Sequence, residues 1–293
     1  MTRYRFISQE KASLSVTRLC ELLEVSTSAY DDWLARPEPP QLPEDDARLR
    51  VHLRVLHKQS RGTYGRPRLT AALRAQGFVV NHKRVGRLMR EEGLVGCPWR
   101  RFKKTTQTDA DATFADNLLE RQFNPNAPNQ VWAGDITYVE VTGGFVYLAV
   151  LIDLYSRRVV GFCVDDHVRT ELVEVALTRA ASVRSVSSGW MHHSDRGCQY
   201  TSRRYQERLR SMGAVVSMSR KGNCWDNAPV ESFFGTIKQE LLHRHTWSGL
   251  REVRAAISDY IHNFYNSVRV NTHNHYVSPV QAERDFDQQL RVA

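Results

Sequence analysis

The sequence predicts an α/β protein: a mixed five-stranded sheet with helices, preceded by an all-helical, basic N-terminal part. Two observations carry this. From Gln130 onward the apolar residues stop recurring at helical spacing and form short β-rich runs, and the elements then follow as three strands, helix, strand, helix, strand, helix, helix. Upstream the pattern is helical and the charge is one-sided. Residues 1–104 hold 21 Lys and Arg against 11 Asp and Glu, residues 48–104 hold 16 against 2, and residues 105–293 are balanced at 20 against 21. A merely soluble face mixes both signs, so a polyanion, nucleic acid first, is the expected partner.

The 293 residues suffice for two or three domains. No apolar run reaches the roughly 18–20 residues of a membrane span. The opening MTRYRFISQEKASLSV has no apolar h-region, which predicts no signal peptide. Cys20, Cys97, Cys163, Cys198 and Cys224 are scattered without zinc spacing and read as free thiols in a reducing cytoplasm.

In chain order, residues 14–34 read as two short helices broken near Val25-Ser26, with Leu19, Leu22 and Leu23 inward and Ser26 or Thr27 as a cap, the outline of a helix-turn-helix. A proline-rich linker follows. Residues 46–60 form a helix with Leu49, Leu53 and Leu56 on one face. A second helix starts at Arg66 or Pro67, and HKRVGRLMREEGL is a third, closed by Gly93. Arg66, Arg68, Lys83, Arg84, Arg87 and Arg90 are the expected DNA contacts of this basic segment. The strands are QVWAGDITYVEV, GGFVYLAVLIDL and RRVVGFCVDD, an antiparallel meander, then WMHHSD and AVVSMS, with helices over 169–182 and in SRRYQERLRSMG. Asp226 or Asn227 caps the next helix, Pro229 fits its first turn, and a long helix over 247–267 closes the pattern. This is the element order of the RNase H-like fold. The expected domains are 1–36 (helix-turn-helix-like), 37–45 (linker), 46–99 (basic helical, DNA-binding), 100–126 (linker), 127–243 (RNase H-like core) and 244–293 (C-terminal helical extension).

Three acids stand out in that order. Asp135 lies mid-strand in GDITY, Asp195 ends the fourth strand in HHSDRG, and Glu231 opens a helix. An Asp flanked by Trp132, Ile136 and Tyr138 is costly when buried and unpaired, and a cation resolves that cost. Hard oxygen ligands select Mg²⁺ or Mn²⁺ over zinc. Lys238 follows Glu231 by seven residues, two helical turns, and shares its side. Asp153 reads as a structural acid at a strand end, His192 and His193 as packing residues, Ser194, Asn223 and Asn227 as residues placed to hold backbone or phosphate near the site, and Trp225 as core or as a base-stacking residue.

The motifs TRLCELLEVSTSAYDDW, GTYGRPRL, HKRVGRLMREEGL, NQVWAGDITYV, YLAVLIDLYSRRVVGF, HHSDRGCQYTS and KGNCWDNAPVESFFGTIKQE together resemble the DDE transposases and retroviral-type integrases. The resemblance is closest to the second-frame (OrfB-type) transposases of the IS-three group of bacterial insertion sequences. It implies that Asp135, Asp195 and Glu231 are a catalytic, metal-binding triad and that Lys238 faces substrate DNA. Two Mg²⁺ or Mn²⁺ ions would serve water-driven strand cleavage and then 3′-OH strand transfer. Double-stranded DNA, at element ends and target, is the implied partner of a homo-oligomer, with an upstream-frame (OrfA-type) fusion partner and no membrane. The implied location is the bacterial cytoplasm, at the nucleoid. The alternatives are a phage- or retroviral-type integrase or nuclease, and a non-catalytic DNA-binding regulator derived from a transposase. Against a retroviral-type integrase, no His/His/Cys/Cys set precedes Asp135.

Overall fold

The structure, a computed structural model, describes residues 3–35, 43–97, 114–220 and 224–292. The chain divides into two compact units, Met1–His52 and Leu53–Ala293. In the first, α1 (Arg3–Glu10), α2 (Val16–Leu22) and α3 (Thr27–Ala35) enclose Ile7, Leu19, Cys20 and Tyr30, with Tyr4 stacked on Trp33 at 5.8 Å. Ser26 Oγ accepts from Ala29 N at 3.1 Å and so starts α3 where the sequence breaks. The sequence gives no sign of α1, because RYRFISQE buries only Ile7 deeply. The expected linker over 37–45 lies outside the described residues up to position 42, and from Pro43 the chain is already in α4 (Pro43–Gln59).

The second unit takes in the end of α4 from Leu53 and continues with α5 (Arg66–Ala75) and α6 (His82–Glu91). Pro67 sits in the first turn of α5, where its missing N–H has no helical partner to lose. Asn81 Oδ1 caps α6 by accepting from Arg84 N at 2.9 Å. Helix α6 is two-faced: Val85, Leu88 and Met89 are buried while Lys83 and Arg90 are exposed. The buried Tyr64 ties this segment to the C-terminal part, accepting from Val270 N at 2.7 Å and donating to Val268 O at 3.3 Å. The basic helices and the sheet therefore belong to one compact unit.

The sheet contains β1 (Val131–Val141), β2 (Gly144–Asp153), β3 (Val159–Asp165), β4 (Met191–Ser194) and β5 (Val215–Met218) in the order β3-β2-β1-β4-β5. Strands β1, β2 and β3 form the antiparallel meander, and β4 and β5 run parallel to β1. Gly143, at φ 86°, supplies the left-handed backbone that the tight β1–β2 turn demands. Between and after the strands come α7 (Thr170–Val183), the four-residue α8 (Cys198–Thr201), α9 (Arg203–Ser211), α10 (Ala228–Glu240), α11 (Leu250–Asp259) and α12 (Pro279–Val292). This is the RNase H-like mixed sheet that the element order predicts. Strand β2 is buried almost without interruption from Val146 to Asp153, as expected of a central strand covered on both faces. Helix α7 packs on β2 and β3, α10 on β1, and α11 on β3.

The long helix expected over 247–267 is corrected. Helix α11 passes into a π-helical turn, Tyr260–Tyr265, in which Asn266 N donates to Ile261 O at 3.0 Å. The cause is tertiary. Asn266 is pinned to the start of β3, accepting from Val159 N at 3.0 Å and donating to Val159 O at 2.9 Å. No described helix is long and apolar enough to cross a membrane. Cys20, Cys97, Cys163 and Cys198 carry free thiols.

Candidate active site

The sheet register brings two of the three acids together. The parallel β1–β4 ladder ends on the pair Gly134↔Ser194, and the next residues of the two chains are Asp135 and Asp195. Neighbouring strands stand about 4.8 Å apart, so the two aspartates start from adjacent positions. Here β1 leads to β2 on one side and β4 leads to β5 on the other, the kind of switch point at which open sheets form a crevice. Beyond Gly134, β1 runs on to Val141 paired with β2 alone, so Asp135 also marks the start of an open edge. The chain turns sharply after β4, and Gly197 N donates to Asp195 Oδ1 at 3.0 Å. Ile136 N donates to Asp135 Oδ1 at 2.7 Å.

Glu231 arrives from elsewhere, on the first turn of α10. Burial pushes the Asp135 carboxyl well above its ordinary range; Asp195 adds to this, Glu231 adds further, and the Ile136 hydrogen bond and Lys238 oppose it. Burial raises Asp195 as well, against the Gly197 hydrogen bond. Neither aspartate makes an ion pair with a basic side chain among the described residues. The three carboxylates are nevertheless not gathered within 4.8 Å of one another; among the described residues only Asp165, Asp166 and His167 are. That trio closes the outer strand β3, and Asp165 faces Arg254 at 3.7 Å.

Lys238, two turns along α10 and half-buried, places its ammonium 5.1 Å over the ring centroid of Tyr138 on β1. Burial lowers its pKa and Asp135 pulls the other way. The rest of the site's floor is neutral. His192 is buried, held near a pKa of about 3, with Nε2 3.0 Å from Tyr205 Oη. His193, at about 4, lies 2.9 Å from Ser217 Oγ and 3.1 Å from Ser219 Oγ. Tyr200 is buried under Gly134, 3.4 Å from where a Cβ would stand. Asp153 is fully buried and saturated by Asn129 N at 2.6 Å, Tyr155 N at 2.8 Å and Arg184 Nη2 at 3.2 Å.

Residues 125–224 match the integrase core domain family and residues 231–285 a second integrase core domain family, while residues 43–103 match an HTH-like domain. The chain is 37% identical over 270 residues to the insertion element IS600 uncharacterized 31 kDa protein of Shigella sonnei, covering 92% of this chain and 99% of that protein. It is 36% identical over 293 residues to the transposase InsF for insertion sequence IS3A of Escherichia coli K12, covering 96% and 98%. The chain belongs to the IS3-family transposases. Among solved structures, the HTLV-2 integrase catalytic core domain is similar at 21% identity and a TM-score of 0.43, over 54% of this chain and 98% of that one. The protein is thus a transposase with an integrase-type catalytic core, a polynucleotidyl transferase of DNA transposition and integration, and such a core implies divalent-metal use. Its HTH-like domain and its core both imply DNA as partner.

The transposase's basic segment presents its cations unequally. Arg66, Lys83 and Arg90 are exposed. Arg87 is half-buried and pairs with Glu91 at 2.9 Å, and Arg84 is half-buried at the start of α6. Arg68 turns inward, 3.6 Å from Glu240 and over the Tyr64 ring at 5.8 Å. The sequence offers Asp226 only as a helix cap and so misses its ion-pair shell, whereas Asn227, expected as a cap or as a residue holding backbone or phosphate near the site, does meet backbone, donating from Nδ2 to Gly134 O at 3.1 Å. Asn223 lies outside the described residues. Asn227 holds the cap position but makes no side-chain cap bond, and Asp226 is fully buried among arginines. Trp225 is 67% exposed, which places it outside the core.

Proposed function

We propose that Asp135, Asp195 and Glu231 are the catalytic triad of this transposase and would together hold two divalent ions, Mg²⁺ or Mn²⁺. The observation that supports this most is the pair of half-buried aspartates side by side without a basic partner among the described residues, each pushed toward its neutral form. The donor set is all hard oxygen, the chemistry that magnesium and manganese prefer. When bound, the ions supply Lewis acidity for in-line displacement at phosphorus, easing attack and stabilising the departing oxygen. No protein nucleophile is required. Water attack at the element end frees a 3′-OH, which then attacks a target phosphodiester. Lys238 would hold a neighbouring phosphate, its ammonium steadied by Tyr138, and Arg66, Lys83, Arg84, Arg87 and Arg90 would meet duplex backbone, with Arg68 reaching it from its inward pairing. A homo-oligomer on DNA, a fusion to an OrfA-type upstream-frame protein, and a nucleoid location in the cytoplasm complete the proposal.

Strand transfer with element-end oligonucleotides in Mg²⁺ is the test. Asp135→Asn, Asp195→Asn and Glu231→Gln each cut the rate at least about 1,000-fold, about 4 kcal/mol of barrier, with duplex binding kept. Near-wild-type transfer by any one removes that residue from the site. Lys238→Ala weakens end binding and slows cleavage without changing the metal requirement; unchanged binding and transfer return it to the solvated face. Lys83→Ala and Arg90→Ala each flatten the salt dependence of duplex binding by about 0.9 in log–log slope, and an unaltered slope excludes them as phosphate contacts.

A further inference from the structure

Sheet register aligns Asp135 with Asp195, but it says nothing about Glu231, whose helix stands outside the ladder. Two adjacent side chains just before that helix supply the missing alignment. Asn227, 4% exposed, donates from Nδ2 to Gly134 O at 3.1 Å. Gly134 is the last ladder residue of β1 and the neighbour of Asp135. Asp226, 0% exposed, is held on the other side of β4. It accepts from Arg220 N at 3.0 Å and from Arg220 Nε and Nη2 at 2.9 Å each, just past the end of β5. Arg121 Nε at 2.9 Å and Asn117 Nδ2 at 3.0 Å complete its shell, and the irregular segment that carries them is itself bound to β5, where Met218 N donates to Asp116 O at 3.1 Å. Asp226 thus fixes the helix start to the β5 side and Asn227 fixes it to β1. The strand between them is β4, whose end carries Asp195.

We infer that Asp226 and Asn227 are positioning residues of the reaction, a two-point clamp that sets Glu231, one turn further on, against the Asp135–Asp195 pair. The inference rests on the triad reading and deepens it. A purely structural role fits Asn227 poorly. Its Oδ1 is buried without a hydrogen-bond partner among the described residues, a net cost to folding, so an apolar residue of the same shape would serve stability better. What such a residue could not do is hold Gly134 O. Outer-shell partners of metal ligands commonly matter about 10- to 100-fold in metal affinity, because a carboxylate aimed wrongly by a fraction of an ångström is a poorer ligand.

The test is calorimetric titration of Mg²⁺ into the full-length, DNA-free protein, with melting temperature measured alongside. Asn227→Leu keeps the shape and removes both the donor and the stranded acceptor. It should melt at or above the wild-type temperature and bind Mg²⁺ at least about tenfold more weakly. Asp226→Asn, which keeps the shape and drops the charge, should weaken Mg²⁺ in the same direction, and Asn227→Ala gives a second route should the leucine fold poorly. A wild-type Mg²⁺ isotherm for the folded Asn227 variants, whatever their melting temperatures, overturns the clamp. Asp135→Asn is titrated in parallel. Loss of binding there with none at Asn227 rejects the clamp alone, whereas no loss at Asp135 rejects the triad reading and the clamp with it.

Discussion

Asp135 and Glu283 are both shielded carboxylates, and their surroundings drive them in opposite directions. Glu283 on α12 accepts from Arg158 Nη1 at 2.6 Å, from Arg184 Nη2 at 2.6 Å and Nη1 at 2.8 Å, and from Ser156 Oγ at 2.8 Å. Burial favours its neutral form, but Arg184 and Arg158 overcome that and hold it below the ordinary range. Glu240 is likewise buried and paired, taking Arg269 at 2.7 Å and the Tyr260 hydroxyl at 2.8 Å. At Asp135 the nearest strong influence after burial is another carboxylate, and its pKa rises. The difference separates acids that hold the fold together from acids that, on the proposed function, the fold holds ready for a cation. A buried carboxylate satisfied by arginine contributes to stability; one facing its own kind is a strain that a bound cation relieves.

The largest stability effect belongs to the arginine-paired set. Glu283→Gln leaves Arg184 and Arg158 short of a buried counter-charge and should cost about 3 kcal/mol, a fall in Tm of about 10 °C, with strand transfer per folded molecule retained. Loss of catalysis out of proportion to the loss of folded protein would erase the distinction between the two kinds of acid.

A smaller effect sharpens the comparison through its sign. Glu283 has a folded pKa below its ordinary 4.5, so its stabilisation is present above that value and is lost as pH falls through the folded pKa. Asp135 and Asp195 have folded pKa values above their ordinary 3.8, so the native state binds the extra protons and the metal-free protein loses stability as pH rises from there through the raised values. Asp135→Asn should therefore melt about 2–4 °C above wild type at neutral pH without metal, about 1 kcal/mol, and Mg²⁺ should close that gap. A lower Tm for Asp135→Asn in metal-free buffer would mean that Asp135 is a structural acid like Glu283.

Most of the sheet was legible in the sequence because strand and helix periods are local properties. GDITY and HHSD marked β1 and the end of β4, and the switch between two periods located the core. The register that sets Gly134 opposite Ser194 was not legible, since nothing local fixes how a parallel strand slides. Partners distant in sequence were equally hidden. Asp226 read as a helix cap because Asp and Asn just ahead of a Pro-containing first turn are favoured there, and Arg121 lies 105 residues away. Arg68 read as a surface cation until Glu240 came beside it. The π-helical turn at Tyr260–Tyr265 exists because Asn266 must meet Val159, a demand invisible in a run of helix formers. Helix α12 falls in the expected C-terminal helical extension over 244–293, but its bounds and its anchoring through Glu283 were hidden for the same reason.

The central claim is that Asp135 is a metal ligand, and metal-specific rescue tests it most directly. Asp135→Cys replaces a hard oxygen with a softer sulfur, which favours manganese over magnesium. Strand transfer by this variant should be lost in Mg²⁺ and return in Mn²⁺, with Asp135→Asn inactive in both. Equal activity of Asp135→Cys in the two metals, or no activity in either while Asp135→Asn retains some, would contradict the account.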